Sequence, residues 1–552
     1  MSQKERIDAY FITLVLLAIS LPFSKFTLSV SQLFLILVWL SDGFVRRFSA
    51  HQGNLFARFL KAWLTTWTTN LRNKPRVFLR NRTAIVLASL FLLHLIGLLY
   101  TSDFDYALKD IRTKLPLFFL PFIMSSMSPL SVRKTKLLLG FFVAAVFVGT
   151  LISFVVYLQQ NYTDIREISL FISSIRFSLT IVFSIFIIMV ALLRYHAELK
   201  WWMIVVLTSL IIWFSASLML LESAIGFLSL VGITTAFFLV RSFYIRNLTI
   251  RWLSISLCII IPLSATLYIA DIIRDLRTPP SIDFSTLPSH SELGNEYRHD
   301  TIHFGIEDGR YVGIYFAESE MAEAWNKRSS YDFYGTDDAG QLIMYTIIRY
   351  LTSKDLRKDA SGVNALCDQD IEFIQRGVAN IRYMTQPSIR TRISKTLLGY
   401  QNLNLFSDPN GSSDMQRIEY LRASLYIIQN NLWFGVGTGD LPRHFKQAYD
   451  SLNTPLKEQW RWRSHNQYLS VLIAFGILGF LWFLFTLIYP AVHSGRYQDA
   501  LYMMFLALMM FSMLTEDTIE TQIGVSLFAF FNAFFLLSVE HHAKQSHDRK
   551  EF

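Results

Sequence analysis

The chain contains 552 residues, and 52% of them are hydrophobic. Phenylalanine alone accounts for 47 residues, and apolar runs close to the roughly 20 residues that cross a bilayer recur along the chain. The formal net charge of +9 falls mainly in the loops between alternate apolar runs, as the positive-inside rule describes. The composition therefore indicates a multi-pass membrane protein, and the charge pattern argues against nucleic-acid binding.

Twelve apolar segments are predicted to be transmembrane helices, because helices satisfy their own backbone groups in lipid. They lie at 9–23, 27–44, 83–100, 113–128, 137–158, 171–193, 202–220, 223–240, 252–270, 465–489, 498–514 and 522–539. The predicted fold class is an all-α polytopic membrane protein with about 12 transmembrane helices. It divides into an N-terminal bundle (1–270), a large and mainly helical external loop (271–463), and C-terminal helices with a short tail (464–552).

The distribution of Lys and Arg predicts the orientation. The basic residues between the second and third segments are Arg46, Arg47, Arg58, Lys61, Arg72, Lys74, Arg76, Arg80 and Arg82. Loops on the same side and the tail contribute Arg133, Lys134, Lys136, Arg194, Lys200, Arg241, Arg246, Arg251, Lys544, Arg549 and Lys550. Both termini are therefore expected in the cytoplasm and residues 271–463 on the opposite side. Met1–Phe23 lacks a small-residue cleavage site and is expected to remain as a helix.

The basic link at 45–82 also contains four apolar side chains that would share one face of a helix: Phe56, Leu60, Trp63 and Trp67. Two interpretations follow. The segment is either an interfacial helix that lies on anionic lipid or a basic cytoplasmic linker.

The external loop is expected to gain order from packing rather than from cross-links. Helical periodicity at 341–358 and 361–381 predicts helices in its middle. Cys258 lies in a predicted membrane helix and Cys367 in the loop, so these two cysteines are not expected to meet. The sequence has no Cys/His cluster with metal-ligand spacing, and neither a metal nor a cofactor is expected.

The segment from Arg417 to Gly479 gathers cationic and proton-handling groups at a membrane surface. Arg417 offers a fork of donors that suits a phosphate, or it pairs with an acid such as Glu419. His465, at the mouth of an apolar helix, is a candidate acid, base or donor, or an interfacial histidine bonded to backbone. The glycine loop 435–439 follows a helix, which favours a C-cap and turn over a phosphate cradle.

Other candidates lie at the outer ends of predicted helices. Arg176 either contacts substrate or extends to lipid headgroups, and Lys114 and Arg112 have the same two interpretations. An acidic turn outside the last two helices supplies a general base or pairs with cations, and its members are Glu516, Asp517 and Glu520. The candidates for substrate binding are Arg176, Lys114, Arg112, Arg422, Asn466 and Gly437.

Two motifs carry a resemblance to a known family. They read R-x-x-x-L…N-x-x-F-G-V-G-T-G-D from Arg417 and S-H-N-Q-Y-L-x-x-x-x-x-F-G-I-L-G from Ser464. Together with the late external loop, they resemble the O-antigen ligase and polymerase superfamily. The matching positions are Arg417, Gly435, Gly437, Gly439, His465, Asn466, Leu469, Gly476 and Gly479. One departure is that many members carry Ser-Arg where this chain has Ser223-Ala224.

The resemblance implies a membrane glycosyltransferase of the bacterial inner membrane with its active site facing the periplasm. The implied donor is a glycan on undecaprenyl pyrophosphate, and the implied acceptor of a ligase is lipid A-core or a similar glycan. The implied reaction inverts the anomeric centre without a metal, with His465 and Arg417 as catalytic residues.

Three alternatives remain open from the sequence. A polymerase would join lipid-linked repeat units with the same machinery. A polytopic transporter or lipid flippase would have a similar helix count, but it should show paired broken helices and ionisable groups near the midplane. A receptor-like protein would bind a ligand externally without chemistry. The sequence leaves the oligomeric state unknown.

Overall fold

The structure is a computed structural model that describes residues 3–50, 54–159, 162, 164–279 and 281–540. The predicted basic tail residues Lys544, Arg549 and Lys550 lie outside the described residues. The N-terminal helices are α1 (Gln3–Ser20), α2 (Lys25–Leu40), α3 (Phe44–Ala50), α4 (Leu55–Arg80), α5 (Arg82–Ile96), α6 (Phe104–Lys114), α7 (Pro116–Ser125), α8 (Val132–Gln159), α9 (Ser174–Tyr195), α10 (Trp201–Leu220), α11 (Ala224–Ser242) and α12 (Leu248–Arg277).

A two-stranded antiparallel sheet follows, with β1 (Ile306–Glu307) and β2 (Arg310–Tyr311). The later helices are α13 (Glu318–Arg328), α14 (Ile343–Ser353), α15 (Ala360–Asn364), α16 (Asp368–Gln375), α17 (Arg382–Thr385), α18 (Ile389–Phe406), α19 (Ser413–Asn430), α20 (Leu441–Ser451), α21 (Gln467–His493), α22 (Ala500–Ser512) and α23 (Gln522–Ala533). The all-α class is confirmed, and α14 to α16 lie where periodicity predicted helices.

Eight helices of the described chain are long and apolar enough to cross a membrane. They begin at Lys25, Arg82, Val132, Ser174, Trp201, Ala224, Leu248 and Gln467. Shorter apolar helices occupy Ala9–Ser20, Ala500–Ser512 and Gln522–Ser538. Each predicted segment contains a helix, so the polytopic membrane fold is confirmed. The count of twelve spans remains a prediction.

The fourth predicted segment, 113–128, differs from the structure. It is divided between α6, which ends at Lys114, and α7, which starts at Pro116. Leu115 keeps helical backbone angles, but Pro116 has no N–H and fits the first turn of a new helix, so the helical hydrogen-bond ladder is interrupted there. Lys114 is thus the last residue of the polar helix α6 and does not open the apolar helix α7.

Contacts between helix ends define two sides of the bundle. The apolar part of α1, which begins at Ala9, meets the chain after α23 through Tyr10 Oη and Ser538 Oγ at 2.9 Å. Thr83 at the start of α5 lies 3.2 Å from His493 Nδ1 at the end of α21. These ends, with those of α2 and α7, form what we call the basic side. Because the apolar helices alternate in direction, the starts of α9, α21 and α23 lie on the opposite, outer side, together with residues 278–466.

The outer segment has a core of its own. Trp325, Phe333, Ile347 and Tyr350 are fully buried there. Arg349 also forms an ion pair with the buried Glu307 at 2.7 Å. Packing therefore supplies the order of this segment, and Cys258 and Cys367 are both free.

Candidate active site

The glycine loop 435–439 packs against a break in α21. Gly437 N donates to Ala474 O at 2.9 Å. Gly476 interrupts the helix with a φ of +62°, and a Cβ on it would lie 2.2 Å from Trp433 O, so only glycine fits. The two glycine motifs thus fasten the end of α19 to α21. Gly437, a predicted substrate ligand, uses its N–H in this packing.

The start of α21 fixes the position of His465. Asn466 caps the helix, since its Oδ1 accepts from Leu469 N at 3.1 Å and its Nδ2 donates to Leu514 O at 2.8 Å. His465 has a φ of +47°, a conformation that non-glycine residues adopt at a cost. Its ring stacks on Tyr420 of α19 with centroids 5.3 Å apart. Asn466 therefore positions the histidine, while a direct contact with substrate remains a prediction.

Arg417, His465 and Glu516 meet on the outer side, and we call them the outer cluster. Arg417 Nη2 donates to Glu516 Oε1 at 2.8 Å, and His465 Nδ1 lies 3.7 Å from Glu516 Oε2. The side chains of Arg417 and His465 are 31% and 35% exposed, so both are open to a ligand. Arg176, at the start of α9, is close enough to interact electrostatically with Glu516 and donates to Ser173 Oγ at 2.9 Å.

The next acidic residue, Asp517, has a different environment. It is 9% exposed, and its Oδ1 accepts from Ser470 Oγ at 2.6 Å and from Ser464 Oγ at 3.2 Å. Ser470 lies in the first turn of α21, and Ser464 lies three residues before that helix begins. Asp517 thus holds the acidic turn against α21 and is less accessible than Glu516.

Glu520 belongs to a second group, which we call the buried network: His94, Asp110, Lys114, Arg463 and Glu520. Lys114 Nζ lies 2.5 Å from Asp110 Oδ1 and 2.7 Å from Glu520 Oε2. Arg463 Nη2 lies 3.2 Å from the same Glu520 oxygen, and His94 Nδ1 lies 3.4 Å from Asp110 Oδ2. Lys114 is only 1% exposed. This predicted substrate ligand is therefore occupied by two carboxylates.

The buried network shifts the pKa values of its members outside the membrane spans. Burial acts to raise the pKa of the Asp110 carboxyl, but the contacts with Lys114 and His94 together outweigh it and leave the pKa well below its usual range. Burial also acts to raise the pKa of Glu520, and Lys114 and Arg463 lower it below its ordinary value. For Arg463, burial opposes the charge, but Glu520 raises the guanidinium pKa. These groups are fixed charges at neutral pH rather than proton carriers.

The two remaining predicted cations have surface environments. Arg422 is 54% exposed and pairs with Glu419 at 2.7 Å, one turn earlier on α19. Arg112 is exposed on α6, two residues before Lys114 and hence on roughly the opposite face of that helix. Their roles in substrate binding remain predictions.

A lysine from another helix contacts the turn that carries the departure from Ser-Arg. Glu222, in the turn between α10 and α11, pairs with Lys395 of α18 at 2.8 Å. Burial raises the pKa of the Glu222 carboxyl, and Lys395 opposes that rise. The departure from Ser-Arg at 223–224 is thus accompanied by a cation that a different helix brings to the same turn.

Three residues that build this region were not among the predicted site residues. Tyr420 lies three residues after Arg417, a spacing that shares a helix face. Arg463 directly precedes the Ser-His motif. Asp110 and Lys114 have the spacing of a helical ion pair. These spacings are visible in the sequence. The contacts with distant segments that bring these residues into the site are not.

Residues 369–484 match a family whose description is O-antigen ligase. The match runs from α16 into α21 and includes Arg417, the glycine loop and His465. No curated protein matches the chain. The resemblance found from the motifs is therefore confirmed.

Proposed function

Because residues 369–484 match the O-antigen ligase family, we propose that the chain is a ligase-type glycosyltransferase of the bacterial inner membrane. It transfers a glycan from undecaprenyl pyrophosphate to a hydroxyl of lipid A-core or a similar acceptor at the periplasmic face. The observation that carries the proposal is the outer cluster. Three elements distant in sequence bring a guanidinium, an imidazole and a carboxylate together where α21 begins.

Arg417 and Arg176 are proposed to stabilise the departing pyrophosphate. Charge develops on the bridging oxygen as its bond to the anomeric carbon breaks, and preorganised donors at that oxygen lower the barrier. A guanidinium carries five N–H donors, so the single bond from Arg417 to Glu516 leaves others for phosphate oxygens.

His465 is proposed to accept the proton of the acceptor hydroxyl as that oxygen attacks the anomeric carbon. Glu516 lies beside Nδ1 at 3.7 Å, where a carboxylate stabilises the imidazolium that forms, as in a catalytic triad. A single displacement with one base inverts the anomeric centre. The competing assignment makes Glu516 the base and His465 a donor to phosphate. Asp517 and Glu520 are less suited, because serines and cations already occupy their oxygens.

The break in α21 is relevant to the transporter alternative. α21 is broken at Gly476, and broken helices are common in transporters. Here the backbone of residues 432–437 fills the break, since Ile477 N donates to Leu432 O at 2.8 Å. The break thus serves packing and does not favour transport.

Deletion of the gene, followed by electrophoresis of the cell's lipopolysaccharide, tests the proposal. A ligase predicts loss of all long chains and accumulation of lipid-linked glycan. Chains that stop at a single repeat would assign a polymerase instead, and an unchanged profile would contradict both. Phosphatase fusions after Ser291 should be active and those after Arg72 inactive, and the reverse would overturn the periplasmic placement.

A further inference from the structure

Helix α4 is amphipathic along its length of about 39 Å, at 1.5 Å per residue over 26 residues. Its apolar residues, apart from Leu79, cover one arc of the helix, and its polar arc carries Arg58, Lys61, Arg72 and Arg76. No Asp or Glu occurs between residues 43 and 82. This combination of an apolar face with an entirely cationic polar face is typical of helices that lie in a membrane interface.

The second half of α4 is fixed across the ends of the membrane helices. Asn70 Nδ2 donates to Leu40 O at 2.7 Å, and Lys74 Nζ donates to Trp39 O at 2.9 Å, both at the end of α2. Phe78 packs edge-on against Phe122 of α7 with centroids 5.1 Å apart. The helix is therefore held at the basic side of the bundle, across the ends of α2 and α7.

The first half of α4 packs on α3 instead. Phe59 meets Phe44 with ring centroids 5.4 Å apart, and Arg58 lies over the Phe48 ring at 4.8 Å. Large apolar side chains remain exposed on the rest of this half, notably Leu55 at 73% and Phe56 at 75%. The apolar face of α4 thus continues through its first half, beside the end of α2.

The surface of the basic side around α4 is positively charged. Cations exposed on α3 and α4 are Arg46, Lys61, Arg72, Arg76 and Arg80. Arg133 and Lys136, at the start of α8, lie on the same side of the bundle. Anionic headgroups complement such a surface, and the apolar face of α4 fits the acyl region just beneath them.

We propose that α3 and α4 form an arm lying in the headgroup layer of an anionic bilayer, with Phe56 among the lipid chains and Lys61, Arg72 and Arg76 among the phosphates. This inference is independent of the proposed transfer reaction. It selects the interfacial helix from the two interpretations that the sequence left open.

The depth of the arm can be measured in the full-length protein. A nitroxide label is attached in turn at Phe56→Cys and at Thr68→Cys, which is exposed on the polar arc, in a Cys258→Ser, Cys367→Ser background. The protein is placed in nanodiscs of phosphatidylcholine with phosphatidylglycerol. The spin relaxation of the label at 56 should be accelerated more by oxygen, which concentrates in lipid, than by a water-soluble nickel chelate. The label at 68 should show the opposite preference. A label at 56 that the chelate reaches as readily as the label at 68 overturns the proposal and leaves that face for a protein partner.

The charge component has its own test. The triple variant Lys61→Gln, Arg72→Gln, Arg76→Gln is compared with Arg274→Gln, Lys327→Gln, Lys446→Gln, which removes three exposed cations on the outer side. The readout is the ratio of phosphatidylglycerol to phosphatidylcholine that copurifies with each protein from mixed lipid. Since each basic residue near an anionic surface contributes roughly a five-fold preference, the arm variant should lower the ratio several-fold and the control should not. An equal ratio for both variants overturns the anionic preference.

Discussion

The outer cluster and the buried network share one short turn, residues 516–520, but use its carboxylates differently. Glu516 lies between two side chains that are about one-third exposed. Glu520, four residues later, is enclosed with Lys114 and Arg463. Exposure therefore separates charges that substrate can reach from charges that hold helices together, and it does so within one turn of chain.

The largest effect is expected from breaking the buried network. Lys114→Ala leaves Asp110 and Glu520 buried without their shared cation, which costs about 3–5 kcal/mol of folding stability in comparable buried pairs. The variant should accumulate poorly or unfold at a lower temperature in detergent, as followed by size-exclusion chromatography after heating. Lys109→Ala, which removes an exposed lysine of the same helix, is the matched control. Equal melting of the two variants would contradict the structural role.

The two buried carboxylates, Asp110 and Glu520, should also make folding stability depend on pH. The pKa values of Asp110 and Glu520 are lowered in the folded protein. Their ionised forms thus stabilise it above the ordinary carboxyl pKa of about 4, and this stability is lost as the pH falls toward the lowered values. Lys114→Ala should weaken this acid dependence.

Substitutions in the outer cluster should mainly lower the transfer rate rather than the folding stability. Arg417→Ala is expected to lower the transfer rate roughly 10²–10³-fold, the loss typical of removing one transition-state donor, while the protein still accumulates. Arg417→Lys should recover little, because a point charge does not reproduce the guanidinium fork. Gln429→Ala, exposed on the same helix, serves as the control. Near-normal transfer by Arg417→Ala would reduce that residue to a surface ion pair.

His465 should control the pH response of transfer. An imidazole base fails when it is protonated, so transfer by the native protein should fall on acidification. His465→Gln should be slow and should lose most of that fall. If His465 instead binds phosphate as a cation, the native rate should rise on acidification. Transfer measured against pH in reconstituted membranes separates the two, and full activity of the glutamine variant would exclude obligatory proton transfer.

The smallest effect is expected at Arg422. The Arg422 side chain is 54% exposed although its partner Glu419 is buried, and Glu419 keeps a hydrogen bond from Thr454 Oγ1 at 2.8 Å when Arg422 is removed. Arg422→Ala should change transfer less than about three-fold and leave accumulation unchanged. A loss as large as that of Arg417→Ala would extend the outer cluster along α19 and restore the predicted role of Arg422 in substrate binding.

The sequence was sufficient to locate the apolar helices and both glycine motifs, because periodicity and turn residues are local properties. It did not separate Glu516, Asp517 and Glu520, because the turn is not an α-helix and its side-chain directions depend on contacts with α6, α19 and α21. From the sequence, Lys114 was predicted to be a substrate-binding cation at the outer end of a membrane helix. Only the packing of α6 against a turn about 400 residues later in the chain reveals that it is buried.

The most direct test of the two roles compares Glu516→Gln with Glu520→Gln. Both changes remove one carboxylate charge from the same turn with little change in shape. Melting temperature and glycan transfer are measured for each purified variant in reconstituted membranes. We predict that Glu516→Gln melts like the native protein but loses most of its transfer, while Glu520→Gln melts lower and keeps the transfer expected of its folded fraction. Equal losses of stability and transfer in both variants would contradict the division of this turn into a reactive carboxylate and a structural one.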